Sequence, residues 1–256
     1  RNEKYDAAIG FFTRYLNANT RPLGEASTSN ALYSLGYAYF EKEEYNKAQS
    51  YFEKLRTGSP DISSILRREI MLLSADCSFM LKETGKAKSI YNAVYQEGGN
   101  GADYALFQLS LIEGIKSPEG KIKLLKEAEN KFPASDYRAL IFMELADTYL
   151  SEEKYESAIP YLKRIPQLVN KDDDMIPDAL LKLGIAYYNL DQSENAIDKF
   201  RELISAYPST HQSAEALESA KTLYVEQGKI NEYESFLQSS GKSLSAIQKD
   251  SLRYQY

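Results

Sequence analysis

The sequence has very few of the residues that build common catalytic and metal centres. Its 256 residues include one cysteine, Cys77, one histidine, His211, and no tryptophan. A single cysteine excludes a disulfide within the chain, and one Cys with one His excludes a Cys/His zinc site and any catalytic arrangement that needs two histidines. The composition therefore argues against much enzyme chemistry, and we expect no metal and no cofactor.

Long apolar runs and an excess of basic residues are also lacking. No stretch approaches the roughly 18 uninterrupted apolar residues that a membrane-spanning helix needs. The 31 Lys and Arg residues are outnumbered by 37 Asp and Glu residues, which gives a net charge of -6. An acidic chain is poorly suited to neutralising phosphates. We therefore expect a soluble chain with no transmembrane segment and no nucleic-acid partner.

An internal repeat is present instead. Its clearest copy, residues 29–60, contains Leu32, Leu35, Gly36, Tyr39, Tyr45, Ala48, Phe52, Leu55 and Pro60. Residues 177–208 carry Leu180, Leu183, Gly184, Tyr187, Ala196, Phe200, Leu203 and Pro208 at the same offsets. Apolar residues recur at spacings of three and four, which predicts two amphipathic helices in each copy. A small residue on each helix would let the two backbones approach closely.

Weaker copies fill most of the remaining chain. The small residue at the eighth place of each copy is, in order, Gly36, Ala75, Ser110, Ala146, Gly184 and Ala220. Small residues at the eighth and twentieth places, bulky residues around them and a closing proline resemble the tetratricopeptide repeat (TPR), a helix-turn-helix of roughly 34 residues. The resemblance implies an all-α fold, a right-handed α-solenoid of stacked helix-turn-helix repeats.

The resemblance also implies how the chain is divided. We expect a single superhelical domain over 1–256 with six repeats, at 29–60, 68–99, 103–133, 139–170, 177–208 and 213–240. Residues 1–20 match the second helix of a truncated repeat, and 243–256 begin a further repeat or form a capping helix. With a half repeat at each side, we expect the chain to be part of a longer protein.

Some helix ends are marked by local signals. Ser117 followed by Pro118 predicts an N-cap with proline at the first helical position. Asp191 with Glu194 resembles a capping box. Pro160 falls inside a predicted second helix, which must then begin late or bend there.

Three short strings imitate catalytic motifs. Residues 241–243 (Gly-Lys-Ser) echo a phosphate-binding loop, and 99–101 (Gly-Asn-Gly) echo a dinucleotide fingerprint, but no strand precedes the first and the second lies between helices. Residues 172–174 (three aspartates) lack EF-hand spacing. We interpret the last two strings as turns, Cys77 as a small packing residue and His211 as a surface residue, and we expect no enzyme in this chain.

In TPR proteins, the first helices line a concave groove with positions two, five, nine, twelve and thirteen of each repeat. The residues that the resemblance places at a partner-binding groove are Tyr33, Tyr37, Phe40, Asp76, Phe79, Tyr104, Phe107, Asp147, Tyr188 and Tyr224. The same positions also hold Met80 and Ile115. No Asn occupies position nine, so the clamp with which some relatives grip a C-terminal carboxylate is absent. Packing between repeats is the alternative role for these side chains.

The leading interpretation is a non-catalytic scaffold that binds a protein or peptide segment in the groove. The junctions at 131–135 and 206–210 resemble those of bacterial cell-envelope TPR proteins, including outer-membrane assembly lipoproteins and Tol-Pal-associated periplasmic proteins. This implies the periplasm or cell envelope, with the cytoplasm as the alternative. A ligand- or peptide-sensing regulatory domain of a larger enzyme or transcription regulator is the second interpretation. Homo-oligomerisation stays open.

Overall fold

The computed structural model describes residues 2–18, 25–58 and 62–239, together with three isolated serines nearer the C-terminus. All regular secondary structure in these residues is helical. The predicted all-α class is therefore confirmed. The segment 243–256, expected to begin a repeat or cap the stack, lies outside the described residues apart from those serines.

Contacts divide the chain into two compact units, an N-terminal unit over 1–135 and a C-terminal unit over 136–256. The expectation of a single superhelical domain over 1–256 stays a prediction. The N-terminal unit contains α1 (Asn2–Asn17), α2 (Glu25–Glu41), α3 (Tyr45–Gly58), α4 (Ser64–Met80), α5 (Thr84–Glu97), α6 (Ala102–Gly114) and α7 (Pro118–Lys131). The C-terminal unit contains α8 (Arg138–Ser151), α9 (Tyr155–Leu162), a short 3₁₀ helix (Ile165–Gln167), α10 (Met175–Asn189), α11 (Ser193–Ala206), α12 (His211–Glu226) and α13 (Ile230–Ser239).

The helices form hairpins in the order that the repeat predicts. The pairs α2/α3, α4/α5 and α6/α7 form the N-terminal unit together with α1, which packs against α2 as the second helix of a repeat would. The pairs α8/α9, α10/α11 and α12/α13 form the C-terminal unit. Each of the six expected repeats therefore contains one hairpin.

Helix starts follow the local signals in part. The Ser117 hydroxyl accepts a hydrogen bond from the Gly120 amide at 2.9 Å, with Pro118 at the first helical position, as predicted. The capping box predicted at Asp191 is wrong. Asp191 has a φ of 56°, in the left-handed region, and belongs to the turn before α11, whose N-cap makes no side-chain hydrogen bond.

Left-handed residues shape most of the turns inside the hairpins. Glu43, Lys82, Glu153 and Asp191 have φ between 56° and 63°, each two residues beyond the end of the first helix. Gly228 follows α12 in the same way, with a φ of 67°. A non-glycine residue in this conformation costs roughly 1 kcal/mol. The same backbone turn therefore recurs in five hairpins despite this cost.

The two helices of a hairpin meet where an aromatic ring lies over a glycine. A Cβ added to Gly36 would lie 2.5 Å from Cε1 of Phe52, and one added to Gly184 would lie 2.2 Å from Cε1 of Phe200. Such distances are far below van der Waals contact, so only glycine admits the ring in this position. Both phenylalanines are fully buried. The glycine at the eighth place and the ring sixteen residues later therefore pack as a matched pair.

Two further hairpins have other residues at the same two places. Ala75 packs with Tyr91 in one core cluster, and Ala146 shares its repeat with Leu162. All four side chains are fully buried. The alanines at the twentieth place are fully buried as well: Ala48, Ala87, Ala158 and Ala196. The predicted role of small residues at both places is thus confirmed for these repeats.

The fourth hairpin departs from the others at Pro160. Helix α9 begins at Tyr155, at the same distance from its turn as the other second helices, but it ends after eight residues at Leu162. The chain continues as a 3₁₀ helix that buries Ile165. Of the two alternatives expected at Pro160, a late start is therefore wrong, and a bend stays a prediction. Proline lacks the amide hydrogen that a helix interior needs, and the helix is shortened at its far end.

We predict that Gly184→Ala destabilises the α10/α11 hairpin by about 1–3 kcal/mol, because the added methyl group overlaps the Phe200 ring. Phe200→Leu in the same chain should recover part of this loss, since Ala146 and Leu162 coexist in the fourth repeat. Urea unfolding of both single variants and the double variant gives the coupling energy.

Gly85→Ala in α5 is the matched control, because nothing lies within 4 Å of the added Cβ. It should be neutral or stabilising by up to about 1 kcal/mol. Equal stability of Gly184→Ala and Gly85→Ala would contradict the close approach of α10 and α11.

Candidate partner-binding site

Two tyrosines on α2 form the clearest part of the predicted groove. Tyr33 and Tyr37 lie one helical turn apart and stack with ring centroids 6.3 Å apart. The Tyr33 hydroxyl donates a hydrogen bond to the Glu69 carboxylate on α4, and burial beside this acid raises the pKa of Tyr33. Tyr37 is 39% exposed. Tyr33 therefore joins two repeats, while Tyr37 presents its ring to solvent.

Phe40, the third predicted residue on α2, packs inside its own hairpin. Its ring meets Tyr45 edge to face, with centroids 5.7 Å apart. The side chain is half-buried against the cluster around Phe52. Phe40 therefore contributes more to the hairpin than to an open surface.

Asp76 lies at the centre of a polar contact between two repeats. Its Oδ1 accepts a hydrogen bond from the Tyr104 hydroxyl at 2.9 Å and another from the Tyr91 hydroxyl. Burial raises the pKa of Asp76, although the two hydroxyl donors act in the opposite direction. Both predicted groove residues, Asp76 and Tyr104, are thereby engaged within the protein.

Two of the ten predicted residues are buried. Phe107 is 6% exposed, and Tyr224 is 5% exposed with its ring close to Tyr233 and Phe236. Neither side chain is exposed enough to line an open groove, so the expectation is wrong for these two residues. Phe79 is half-buried beside the α5/α6 core cluster.

The burial of Tyr224 has a specific cause in the sixth repeat. The turn hydrogen bond from Lys229 N to Tyr224 O corresponds to the bond from Gln192 N to Tyr187 O in the fifth repeat. Tyr224 therefore aligns with the buried Tyr187 and not with the exposed Tyr188. The register that places Ala220 at the eighth position of this degenerate copy is therefore wrong by one residue.

In the C-terminal unit, the predicted residues form charged and polar links between first helices. Lys182 of α10 bridges Asp147 of α8 and Asp178, with both N–O distances at 2.7 Å. Burial alone would lower the pKa of Lys182, but hydrogen bonds to the two carboxylates raise it. The Tyr188 hydroxyl donates to the Glu226 carboxylate of α12 at 3.0 Å, and this bond raises the pKa of Tyr188.

The tyrosine–carboxylate bonds are a feature that the sequence analysis missed. Tyr33–Glu69 and Tyr188–Glu226 join residues 36 and 38 positions apart. The hydroxyl of Tyr5 on α1 also donates to Glu41, again 36 positions away. These separations equal about one repeat. The sequence signal for such a bond is therefore a tyrosine followed by an acidic residue one repeat later.

Three apolar side chains at groove positions remain open to solvent in the N-terminal unit. Tyr37 is joined by Met80, 51% exposed, and Ile115, 68% exposed. They lie at or near the C-terminal ends of α2, α4 and α6, the three first helices of that unit. We call these three residues the first-helix row. In the C-terminal unit, Leu140 and Tyr188 are the exposed large apolar residues on first helices among the described residues.

The described part of the chain has neither a cluster of metal-binding side chains nor a cysteine whose surroundings favour the thiolate. No group of three or more His, Cys, Asp or Glu side chains there could hold a metal ion. Burial, followed by the charge of Asp76, raises the pKa of the Cys77 thiol to about 12, which disfavours the reactive thiolate. None of the described helices is long and apolar enough to cross a membrane.

Family models support the repeat assignment directly. Models described as tetratricopeptide repeat match residues 29–55, 139–165 and 178–210, which fall on the first, fourth and fifth hairpins. The chain therefore contains tetratricopeptide repeats at these three places. No curated protein matches this TPR chain in sequence.

Solved structures resemble the TPR chain in fold. The C-terminal part of a TPR repeat-containing protein from Cytophaga hutchinsonii matches with a TM-score of 0.70 at 15% identity, covering 93% of this chain and 90% of that one. PilF of Pseudomonas aeruginosa matches with a TM-score of 0.57 at 15% identity, covering 85% and 98%. MamA matches with a TM-score of 0.52 at 20% identity, covering 71% and 97%. At these identities the likeness shows the fold alone, and the repeats support a protein–protein interaction scaffold.

We predict that Asp76→Asn changes how stability depends on pH. The raised pKa means that folded Asp76 holds its proton to higher pH than the unfolded chain does. Its ionisation therefore lowers stability as the pH rises from about 4 through the folded pKa. The stability of Asp76→Asn relative to the wild type should rise over this window and then stay constant.

Urea unfolding of the two proteins at a series of pH values measures this difference. Asp76→Ala is the companion variant, and it should cost about 1–3 kcal/mol because the fully buried Tyr91 loses its hydroxyl partner. A difference between Asp76→Asn and wild type that does not change with pH would exclude a raised pKa at Asp76.

Proposed function

We propose that the TPR chain binds an apolar segment of a partner protein through the first helices of its N-terminal unit. The observation that carries the proposal is the first-helix row, in which Tyr37 on α2, Met80 at the end of α4 and Ile115 directly after α6 expose apolar surface. Single exposed apolar residues are ordinary on protein surfaces. A recurrence at the groove positions of three consecutive repeats is better explained by contact with a partner.

The chemistry of the row favours apolar anchors over charged ones. Glu69 and Asp76, the acids on α4 at groove positions, already accept hydrogen bonds from tyrosine hydroxyls. Tyr37 supplies an apolar ring with a polar tip, and Met80 supplies a flexible thioether that adapts to different side chains. The segment that fits is therefore an extended or helical stretch with apolar residues facing the row.

Resemblance to other TPR structures is consistent with a binding role. One matching structure is a hetero-tetramer of Cut9 with Hcn1, at 16% identity and a TM-score of 0.56. This chain spans 46% of the matched chain there, so only the repeat fold is shared.

We further propose that the scaffold works in the bacterial cell envelope. This rests on the resemblance of the junctions at 131–135 and 206–210, which follow α7 and α11, to those of envelope TPR proteins. Cell fractionation with protease accessibility of the native protein tests the compartment. An attached catalytic or DNA-binding segment in a longer native chain would favour the regulatory interpretation instead.

We predict that Tyr37→Ala combined with Met80→Ala lowers partner recovery at least about tenfold, because exposed apolar anchors dominate such interfaces. The melting temperature should change little, since both side chains are exposed. Affinity capture from the native organism, with quantification of each recovered protein, measures the effect. A photo-crosslinking residue at position 37 should label the same protein.

Ile65→Ala is the matched control, because Ile65 is 57% exposed on α4 but lies outside the groove positions. Partner recovery by this variant should equal that by the wild type. Equal recovery by the Tyr37→Ala/Met80→Ala variant would remove the proposal, and a large fall in melting temperature would show that the row belongs to the core.

A further inference from the structure

A cleft in the N-terminal unit lies away from the first-helix row. It has a volume of about 730 Å³ and is lined by residues of α3, α4 and α5. Its lining on α4 is Arg67, Met71 and Ser74. At 100° per residue, these lie on the opposite face of α4 from Leu72 and Asp76, which occupy groove positions. We call this space the outer cleft.

The outer cleft carries an excess of positive charge in an acidic protein. Its charged lining residues are Arg56, Arg67 and Lys86 against the single carboxylate of Glu53. Three cations and one anion leave an excess of two positive charges, whereas the whole chain has a net charge of -6. Charge of this local sign attracts acidic ligands.

Two of the cations remain available to a ligand. Arg56 binds Glu53 with N–O distances of 2.6 and 2.9 Å, so this pair is satisfied. The Arg67 side chain is exposed and makes no hydrogen bond or ion pair with the described residues. Lys86 Nζ lies 3.2 Å from a carboxylate oxygen of Glu83, and both side chains are about half exposed. Such a surface pair contributes little, so Lys86 can exchange Glu83 for a ligand carboxylate at little cost.

Apolar and hydrogen-bonding groups complete the lining. Met71 of α4 and Ile90 of α5 are half-buried and supply apolar surface. Asn46 and Ser50 on α3 are exposed, and their side chains make no hydrogen bond with other described residues. An amide and a hydroxyl in this position can bond the backbone of an extended peptide.

The length of the cleft suits a peptide. Its lining on α3 runs from Asn46 to Arg56. Ten residues of helix rise about 15 Å, which equals four to five residues of an extended chain at about 3.3 Å each. A volume of this size is also typical of ligand sites.

We propose that the outer cleft binds an acidic peptide segment of a partner protein. Carboxylates of the segment pair with Arg67 and Lys86, and apolar side chains between them lie on Met71 and Ile90. The proposal uses a face of α4 different from that of the first-helix row, so either site can fail without the other.

Fluorescence anisotropy with the full chain tests this proposal. The probe is a short fluorescein-labelled peptide that alternates aspartate and leucine, compared with peptides in which lysine replaces aspartate or serine replaces leucine. The aspartate–leucine peptide should bind most tightly, and added salt should weaken it. Arg67→Glu combined with Lys86→Glu should weaken binding at least about tenfold, because two attractions become repulsions.

Lys116→Glu combined with Lys123→Glu is the charge-matched control, since both lysines are exposed in the same unit and neither lines the cleft. Its affinity should stay within about twofold of the wild type. Ser50→Trp, which fills the cleft without changing charge, should also abolish binding. Tyr37→Ala should leave the peptide affinity unchanged, which separates this site from the first-helix row.

Three results would overturn the proposal. Equal affinity of the Arg67→Glu/Lys86→Glu variant and the control would show that the cleft cations are not used. Equal binding of the aspartate–serine peptide would show a simple anion effect without apolar recognition. Displacement of the peptide by a single-stranded oligonucleotide at equal concentration would assign the cleft to phosphates.

Discussion

The hairpin depends on one steric constraint, the room that a small residue on the first helix leaves for a large side chain on the second. Gly36 with Phe52 and Gly184 with Phe200 show it most directly, because no Cβ fits beneath either ring. The ring fills the space that the missing side chain opens, so the two backbones approach without leaving a void. The fully buried alanines at the twentieth place, Ala48 and Ala196, lie on the second helices of the same two hairpins.

Polar bonds between repeats add direction to this packing. Tyr33 donates to Glu69, and Tyr188 donates to Glu226, each one repeat along the chain. Each bond needs a specific donor and acceptor at a specific distance, whereas apolar packing tolerates small slips. The tyrosines therefore fix how one first helix lies beside the next. This role explains why several aromatic residues at groove positions are engaged within the protein and are not open to a partner.

The sequence was sufficient for the fold and insufficient for the site. Spacings of three and four and the Gly and Ala positions predicted the six hairpins, because they record the packing of one repeat on itself. The side chains of Phe107 and Tyr224 were misplaced for different reasons. Phe107 occupies the position assigned to it but is covered by its neighbours, and Tyr224 belongs to a copy whose register is displaced by one residue.

Interactions between repeats were harder to predict, since they depend on which side chains meet across two hairpins. The bond from Tyr104 to Asp76 and the outer cleft both require the placement of separate helices. No spacing within a single repeat contains that information. The exposed fractions of Tyr37, Met80 and Ile115 likewise depend on how neighbouring side chains cover them.

The short helix α9 has a consequence for how the C-terminal unit packs. In an array of repeats, stability is a sum of the intrinsic stability of each hairpin and the interfaces with its neighbours. Helix α9 has about two turns and lacks the backbone donor at Pro160. It therefore adds less to the intrinsic stability of its hairpin than a longer second helix would. The fourth hairpin therefore relies on the 3₁₀ helix after α9 to extend its cover of α10, a task that the full-length α11 performs alone in the fifth hairpin.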